Sequence, residues 1–199
     1  MNPDRAVPGQ DPQGRATGQP AAAAGSGARA AGSGTRVAGV LLGLSTVLVG
    51  LMAGLFFAFD VSVMPGLARL DDAAYVAAMD RFNAAIDGNG LFGSVFVLAL
   101  LGTAAAALVS LRTGHRTIAL WAGAAAVAYL AVLVITFAVN IPLNDELADA
   151  AGAAGSAAPV VDKFQGTWVT TNILRTLLST LALVALVRAV LLHGRATAR

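Results

Sequence analysis

The 199-residue sequence contains no cysteine and few charged residues, and both absences exclude classes of protein. Without cysteine the chain has no disulfide framework, no thiolate metal site and no cysteine nucleophile. Only 12% of its residues are charged and 57% are hydrophobic, against roughly 25% and 45–50% in soluble domains. The composition therefore predicts an integral membrane protein, whose surroundings are the lipid bilayer.

Strongly basic segments are also missing, so nucleic acid is not an expected partner. Lysine and arginine number 13 against 11 acidic residues, and no basic run of five or more residues occurs. His115 and His193 both fall on the predicted inner side of the membrane, far from the polar residues described below, so no histidine metal site is predicted. The motifs of nucleotide-binding folds, serine hydrolases and zinc proteases are absent.

Four stretches are apolar over the roughly 20 residues that a membrane-spanning helix needs. They cover residues 37–59, 91–111, 117–139 and 167–187. The first is too long for the apolar part of a signal peptide and has no small-residue cleavage site, so we expect it to be retained. Residues 1–36 lack apolar periodicity and are predicted to be a disordered tail, and residues 193–199 form a short second tail. The predicted fold is an all-α membrane four-helix bundle over residues 37–192.

The distribution of charge predicts how the bundle is oriented. Most basic residues lie before the first span, between the second and third spans, or after the fourth. The two remaining connections, residues 60–90 and 140–167, carry more acidic than basic residues. Because basic loops stay in the cytoplasm, we expect a multi-pass protein of the cell membrane with both termini cytoplasmic.

The first outer connection contains a predicted amphipathic helix, "LDDAAYVAAMDRFNAAI". Aspartates at its start are typical of a helix N-cap and first turn. Tyr75, Met79, Phe82 and Ile86 follow at helical spacing. Asn83 lies on the same apolar face, so we expect its side chain to point toward the bundle.

A stripe of polar and aromatic residues follows one face of the fourth span. Trp168, Asn172, Arg175 and Ser179 are spaced as i, i+4, i+7 and i+11. A charge inside the membrane costs about 2.5–3.5 kcal/mol even on a lenient scale, so a buried Arg175 requires an explanation.

Other segments deliver polar residues to the same depth as Arg175. If the first helix ends near Pro65, Asp60 lies a turn or more below its outer end. Asn140 and Asn144 bracket Pro142, which leaves a backbone carbonyl unpaired that the asparagines can satisfy. We call the predicted set the polar layer; its members are Asp60, Asn83, Asn140, Asn144, Asn172 and Arg175.

Two structural interpretations of the polar layer involve no ligand. In one, the Arg175 side chain extends outward to the headgroups, Asp60 is a loop residue, and the asparagines are helix caps and turn residues. In the other, Asp60 and Arg175 form a buried ion pair that only fixes helix packing.

Several segments resemble, in order and spacing, the anthrone oxygenase-like family of four-helix membrane proteins. They are "GLFFAFDVSVMPGLARL", "YVAAMDRFNAAI", "NIPLND" and "WVTTNILRTLLS", and the resemblance covers about residues 40–187. It implies an oxygenase that converts an anthrone to an anthraquinone with O2 and no evident cofactor. The positions that match are Pro65, Asn83, Asn140, Pro142, Asn144, Trp168, Asn172 and Arg175. Asp60 departs from the small polar residue, such as serine, that we expect there.

The resemblance and the polar layer together give a first hypothesis of catalysis. Arg175 and Asn172 would stabilise an enolate oxygen, and Asp60 or Asp145 would act as the base. The predicted partners are O2 and a hydrophobic small molecule, and the residues predicted to bind the latter are Asn83, Asn140, Asn144 and Trp168. The alternative hypothesis is a non-catalytic membrane protein that binds a lipid, a hydrophobic ligand or a partner. A transporter ranks third, because four spans provide no evident transport path.

Overall fold

The computed structural model describes residues 20–150 and 158–198, and every regular element in these two ranges is a helix. The α-helices are α1 (Pro20–Ala58), α2 (Met64–Leu67), α3 (Asp72–Asp87), α4 (Gly90–Arg112), α5 (Arg116–Ile135), α6 (Ile141–Ala150) and α7 (Ala158–Thr197). Two π-helical turns join some of them without a break, π1 (Phe59–Val63) between α1 and α2 and π2 (Thr136–Asn140) between α5 and α6.

Four helical segments are long and apolar enough to cross a membrane, which confirms the predicted all-α bundle of four spans. They are Gly32–Leu67, Gly90–Arg112, Arg116–Ala150 and Ala158–Thr197. Each span packs against two others, in the order α1, α4, α5 and α7 around the bundle. Small residues occupy the centre, where Ala99, Ala106, Ala122 and Ala182 are fully buried. Such residues let membrane helices approach closely, while many larger side chains, such as Leu44 and Leu177, are exposed on the outside.

The helices extend beyond the predicted boundaries. α1 begins at Pro20 and α7 runs from Ala158 to Thr197, so residues 20–36 and most of residues 193–199 are helical rather than tails. Residues 1–19, the rest of the predicted tail, lie outside the described residues. The difference arises because hydropathy detects only the length that crosses lipid, and a helix can continue beyond the membrane surface.

Each π-helical turn directly precedes a proline. Proline has no N–H and its ring clashes with the carbonyl four residues earlier. Here Pro65 follows π1 and Pro142 follows π2, and the backbone N–H of Met64 and of Ile141 bonds five residues back, to Phe59 and Thr136. The first helix therefore does not end near Pro65 as expected, but continues through it to Leu67.

A second core lies above the bundle and involves α2, α3, α6 and the start of α7. Asp71 caps α3 by accepting a hydrogen bond of 2.9 Å from the Ala74 N–H. Tyr75 and Met79 are buried as the amphipathic pattern predicts, while Phe82 is 43% exposed. Burial raises the pKa of Tyr75, so its phenol stays protonated. We call this second core the cap, because it covers one end of the bundle.

Candidate functional site

A cavity of about 270 Å³ lies where the cap meets the bundle. Its volume is slightly below the 300–1,000 Å³ of typical ligand pockets. Its apolar wall is formed mainly by large side chains, namely Leu55, Phe56, Phe59, Met79, Ile86, Phe92, Phe96, Phe137, Ile141 and Trp168. Its polar groups are Asn83, Asp87, Asn89, Thr136, Asn140, Asn144, Asn172 and Arg175. An apolar pocket with a few convergent polar groups is the usual form of a small-molecule site.

The structure brings most of the predicted site residues to this cavity. Six of them line it, namely Asn83, Asn140, Asn144, Trp168, Asn172 and Arg175. Asp60 is half-buried but is not part of the lining, and Asp145 is exposed on α6 and is not part of it either. The depths inferred from the sequence therefore converge, but neither aspartate considered as a base borders the cavity.

The guanidinium of Arg175 is turned into the protein and does not extend toward headgroups. The residue is 5% exposed. Its Nη2 donates to Asn172 Oδ1 at 2.7 Å and its Nη1 donates to Thr136 Oγ1 at 3.2 Å. The Cζ atom lies 4.6 Å from the ring centre of Phe56 and 5.2 Å from that of Trp168, within the range of cation–π attraction. A positive charge is thus fixed in the wall of an apolar cavity.

Asp60 and Arg175 are linked through Asn172 instead of forming a direct ion pair. Asn172 Nδ2 donates to Asp60 Oδ1 at 2.5 Å and to the Phe56 carbonyl at 3.0 Å. The other carboxylate oxygen accepts from Thr176 Oγ1 at 2.5 Å. Among the side chains that the structure describes, those of residues 32–150 and 158–198, the one ion pair closer than 4.0 Å joins Lys163 to Glu146 at the surface. The direct Asp60–Arg175 ion pair of the second structural interpretation is therefore not formed.

Two asparagines tie the segment around Pro142 to α7. Asn140 is 2% exposed, and its Nδ2 donates to Thr171 Oγ1 at 3.0 Å. Trp168 Nε1 donates to Asn144 Oδ1 at 2.9 Å. These side chains form hydrogen bonds between helices and do not cap helix ends. Asn89, in contrast, caps the start of α4.

Two buried polar atoms of cavity-lining residues have no partner. They are the Nε–H of Arg175, a donor, and the Oδ1 of Asn140, an acceptor. An unpaired buried polar group costs roughly 1–3 kcal/mol, and such groups in a native protein call for a specific explanation. Both atoms are closed off from the cavity in this structure, so a ligand reaches them only if the neighbouring side chains move.

Several residues near the cavity were not predicted from the sequence, among them Thr136, Asp87 and Thr176. Thr136 lines the cavity four residues before Asn140, and Asp87 lines it four residues after Asn83. Residues four apart share a face of an α-helix, so this spacing could have identified Asp87. Thr136 and Asn140 lie in π2, where that rule does not apply. Thr176 donates a hydrogen bond to the Asp60 carboxylate and follows Asn172 by four residues. In the part of the chain that the structure describes, no three His, Asp or Glu side chains come together as a metal-ligand set.

Comparison with known proteins identifies the family of this chain. Searches of curated proteins and of solved structures gave no match. The sequence profile of the anthrone oxygenase family matches residues 82–185. This stretch is more than half of the chain and contains all six predicted residues that line the cavity. The chain belongs to the anthrone oxygenase family.

Proposed function

We propose that this protein is a membrane oxygenase that oxidises an anthrone, or a related polyphenolic ketone, to a quinone with O2 in the cavity beneath the cap. One observation carries the proposal: a buried arginine, Arg175, is part of the wall of this largely apolar cavity. The family match, the apolar wall and the cavity volume support a hydrophobic aromatic substrate.

The first step is removal of a proton from the methylene carbon opposite the ketone. The electron pair left behind is delocalised onto the ketone oxygen, which becomes an enolate. Arg175, supported by Asn172, stabilises this oxygen, because a preorganised donor is most effective where charge develops in a water-poor site. Asp87 borders the cavity and is exposed to solvent, so it can take the proton and exchange it with water.

Oxygen is then reduced by the substrate itself. The enolate transfers one electron to O2, and the resulting radical and superoxide combine to form a carbon–oxygen bond. The peroxide takes a proton; the base then removes the second methylene proton, the O–O bond breaks, and hydroxide leaves and is protonated to water. Anthrone plus O2 thus gives anthraquinone plus water, and the reaction balances without a further reductant.

The proposal is tested by O2 consumption of the purified protein with 1,8-dihydroxyanthrone in lipid nanodiscs. We expect a rate above that of heat-denatured protein, and a loss of about 10²–10³-fold in kcat for Arg175→Gln. Arg188→Gln is the matched control, because Arg188 is exposed on the same helix, and it should retain wild-type activity. A wild-type rate equal to the spontaneous oxidation, or equal rates for wild type and Arg175→Gln, would reject catalysis.

A second candidate function is binding of a hydrophobic ligand without chemistry. The composition of the wall favours it, because most lining residues are apolar and the carboxylate Asp87 is exposed rather than buried. Mass spectrometry of the protein extracted from membranes separates the two functions. A bound molecule that stays chemically unchanged after aerobic incubation, with no turnover of anthrones, would assign the cavity to binding alone.

We also propose that both termini are cytoplasmic and that the cavity lies in the outer leaflet. The charge distribution of the loops supports this orientation. The chain has no cysteine, so single cysteines can be labelled without background. A membrane-impermeant maleimide should label Asp145→Cys on intact cells, but Thr117→Cys only after lysis. The reverse pattern would invert the topology.

A further inference from the structure

We propose that Asp60 is a positioning residue, whose carboxylate fixes the orientation of the Asn172 amide and, through it, the guanidinium of Arg175. The inference rests on the proposed function in one respect: it takes Arg175 as the group that holds the substrate oxygen. It assigns Asp60 no contact with the ligand and no transfer of protons.

The orientation of the Asn172 amide is determined by what surrounds it. Both N–H bonds of Nδ2 point at groups that only accept, the Asp60 carboxylate at 2.5 Å and the Phe56 carbonyl at 3.0 Å. The amide oxygen is consequently left to face Arg175 Nη2 at 2.7 Å. A flipped amide would set its carbonyl against a carboxylate and its N–H groups against a cation. The negative charge of Asp60 therefore favours one of the two orientations.

The carboxylate itself is held firmly by α7. Its Oδ2 accepts from Thr176 Oγ1 at 2.5 Å while its Oδ1 accepts from Asn172, one helical turn earlier. Both oxygens are occupied, and Asp60 is not in the cavity lining. A general base must reach the proton that it removes, directly or through one water, and Asp60 lies behind Asn172 instead. Residue 60 also lies outside the stretch 82–185 that the family profile matches.

Two substitutions of Asp60 separate positioning from base catalysis. Asp60→Asn removes the charge and the basicity, but its amide oxygen can still accept from Asn172 while its NH2 donates to Thr176. Asp60→Ala removes both carboxylate oxygens and leaves the Phe56 carbonyl as the acceptor for Asn172 Nδ2, so the amide is held less firmly. We expect kcat/KM of Asp60→Asn within about threefold of wild type, and a loss of about 100-fold for Asp60→Ala, mostly in kcat, as for a misplaced catalytic group. Equal losses in both variants would overturn the proposal.

Thr176→Val is the matched control. It removes the other hydrogen bond to the same carboxylate but leaves the Asn172 contact, so kcat/KM should stay within about threefold of wild type. A loss as large as that of Asp60→Ala would show that general packing, not the amide orientation, is responsible. If Asp60→Ala does not fold, Asp60→Asn decides alone, because an amide can replace a positioning acceptor but cannot replace a base.

A spectroscopic measurement keeps this inference separate from the proposed function. In protein labelled with 15N-arginine, the Arg175 Nε–H resonance is assigned by its disappearance in Arg175→Lys. We expect it unchanged in Asp60→Asn and Thr176→Val and shifted in Asp60→Ala. This pattern supports positioning even if no anthrone is turned over, in which case only the proposed function fails. An unshifted resonance in Asp60→Ala overturns the positioning role whatever the activity.

Discussion

The indole N–H of Trp168 donates a hydrogen bond of 2.9 Å to the side-chain oxygen of Asn144, which joins α7 to α6 across the top of the cavity. The same ring stacks on Phe164 and lies 5.2 Å from the Arg175 guanidinium. Trp168 therefore connects three features that the site needs together, namely the cap, the cavity wall and the buried charge.

Replacing Trp168 with phenylalanine should separate these contributions. The ring contacts with Phe164 and Arg175 are largely kept, whereas the hydrogen bond to Asn144 is lost. We expect this loss to lower the unfolding free energy by about 0.6 kcal/mol, the average for such bonds in membrane helices. Thermal unfolding in detergent measures the change. Trp121→Phe is the control, because Trp121 is 41% exposed on α5. Equal effects of the two substitutions would contradict a specific role of the bond to Asn144.

Asn140→Leu should weaken ligand binding without lowering stability. The substitution removes a buried acceptor that has no partner in the protein together with the Nδ2 bond to Thr171, whose hydroxyl still donates to the Thr167 carbonyl. No buried group is left unpaired, whereas loss of the Thr171 hydroxyl would strand Nδ2, so the melting temperature of Asn140→Leu should stay the same or rise. The affinity for a phenolic ligand should fall about tenfold, which corresponds to roughly one lost hydrogen bond. Ligand-induced shifts of the melting temperature report both quantities.

The matched variant for Asn140 is Thr171→Val. It removes the acceptor of the Asn140 Nδ2 bond but leaves Oδ1 untouched. It should lower the melting temperature and preserve ligand affinity, the opposite of Asn140→Leu. If the two variants behave alike, Oδ1 of Asn140 has no role in ligand binding.

Gly93→Leu should reduce the space available to a ligand while leaving the fold intact. Gly93 lines the cavity, and a Cβ atom placed there meets no atom within 4 Å. Gly54→Leu is the control, since Gly54 lies in equally open space on α1 but is not part of the lining. We expect both variants to fold and only Gly93→Leu to lose ligand binding. If Gly93→Leu still binds the ligand, the binding site lies outside this cavity.

Gly102→Ala tests the close packing of α1 and α4 below the site. A Cβ atom at Gly102 would lie 2.7 Å from Ser45 Oγ, so the substitution should cost about 1–3 kcal/mol of unfolding free energy. Gly123→Ala on α5, where a Cβ meets no atom within 4 Å, should not be destabilising. Adding Ser45→Ala should restore the stability of Gly102→Ala, because the crowded oxygen also lacks a partner. Persistence of the loss in the double variant would refute this explanation.

The bundle could be predicted from the sequence because its main determinant is composition. Four apolar stretches separated by short polar segments admit few arrangements other than a helical bundle. The ends of α1 and α7 could not be predicted in the same way, since hydropathy falls at the membrane surface whether or not the helix continues.

For the site, the sequence predicted how deep each residue lies in the membrane better than it predicted which way the side chain points. Counting 1.5 Å per residue brings Arg175 to the level of Asn140, and the amphipathic pattern turns Asn83 toward the bundle; all three do line one cavity. The same count brings Asp60 to that level but not to the cavity. Asp60 lies in π1, where the angular spacing of side chains departs from the α-helical value, so an α-helical wheel does not apply. Its link to Arg175 through an amide could be recognised only once the side-chain partners were known.

The two π-helical turns have a mechanical consequence for the protein. Both interrupt the regular hydrogen bonding of a span at the level of the cavity, one between α1 and α2 and the other between α5 and α6, whereas α7 runs through that level unbroken from Ala158 to Thr197. Bending is easiest where the hydrogen-bond ladder is irregular. The parts of the cap that α2, α3 and α6 form are therefore expected to tilt at these two turns relative to α7, and Arg175, which lies on α7, stays in place while the cavity widens and narrows around it.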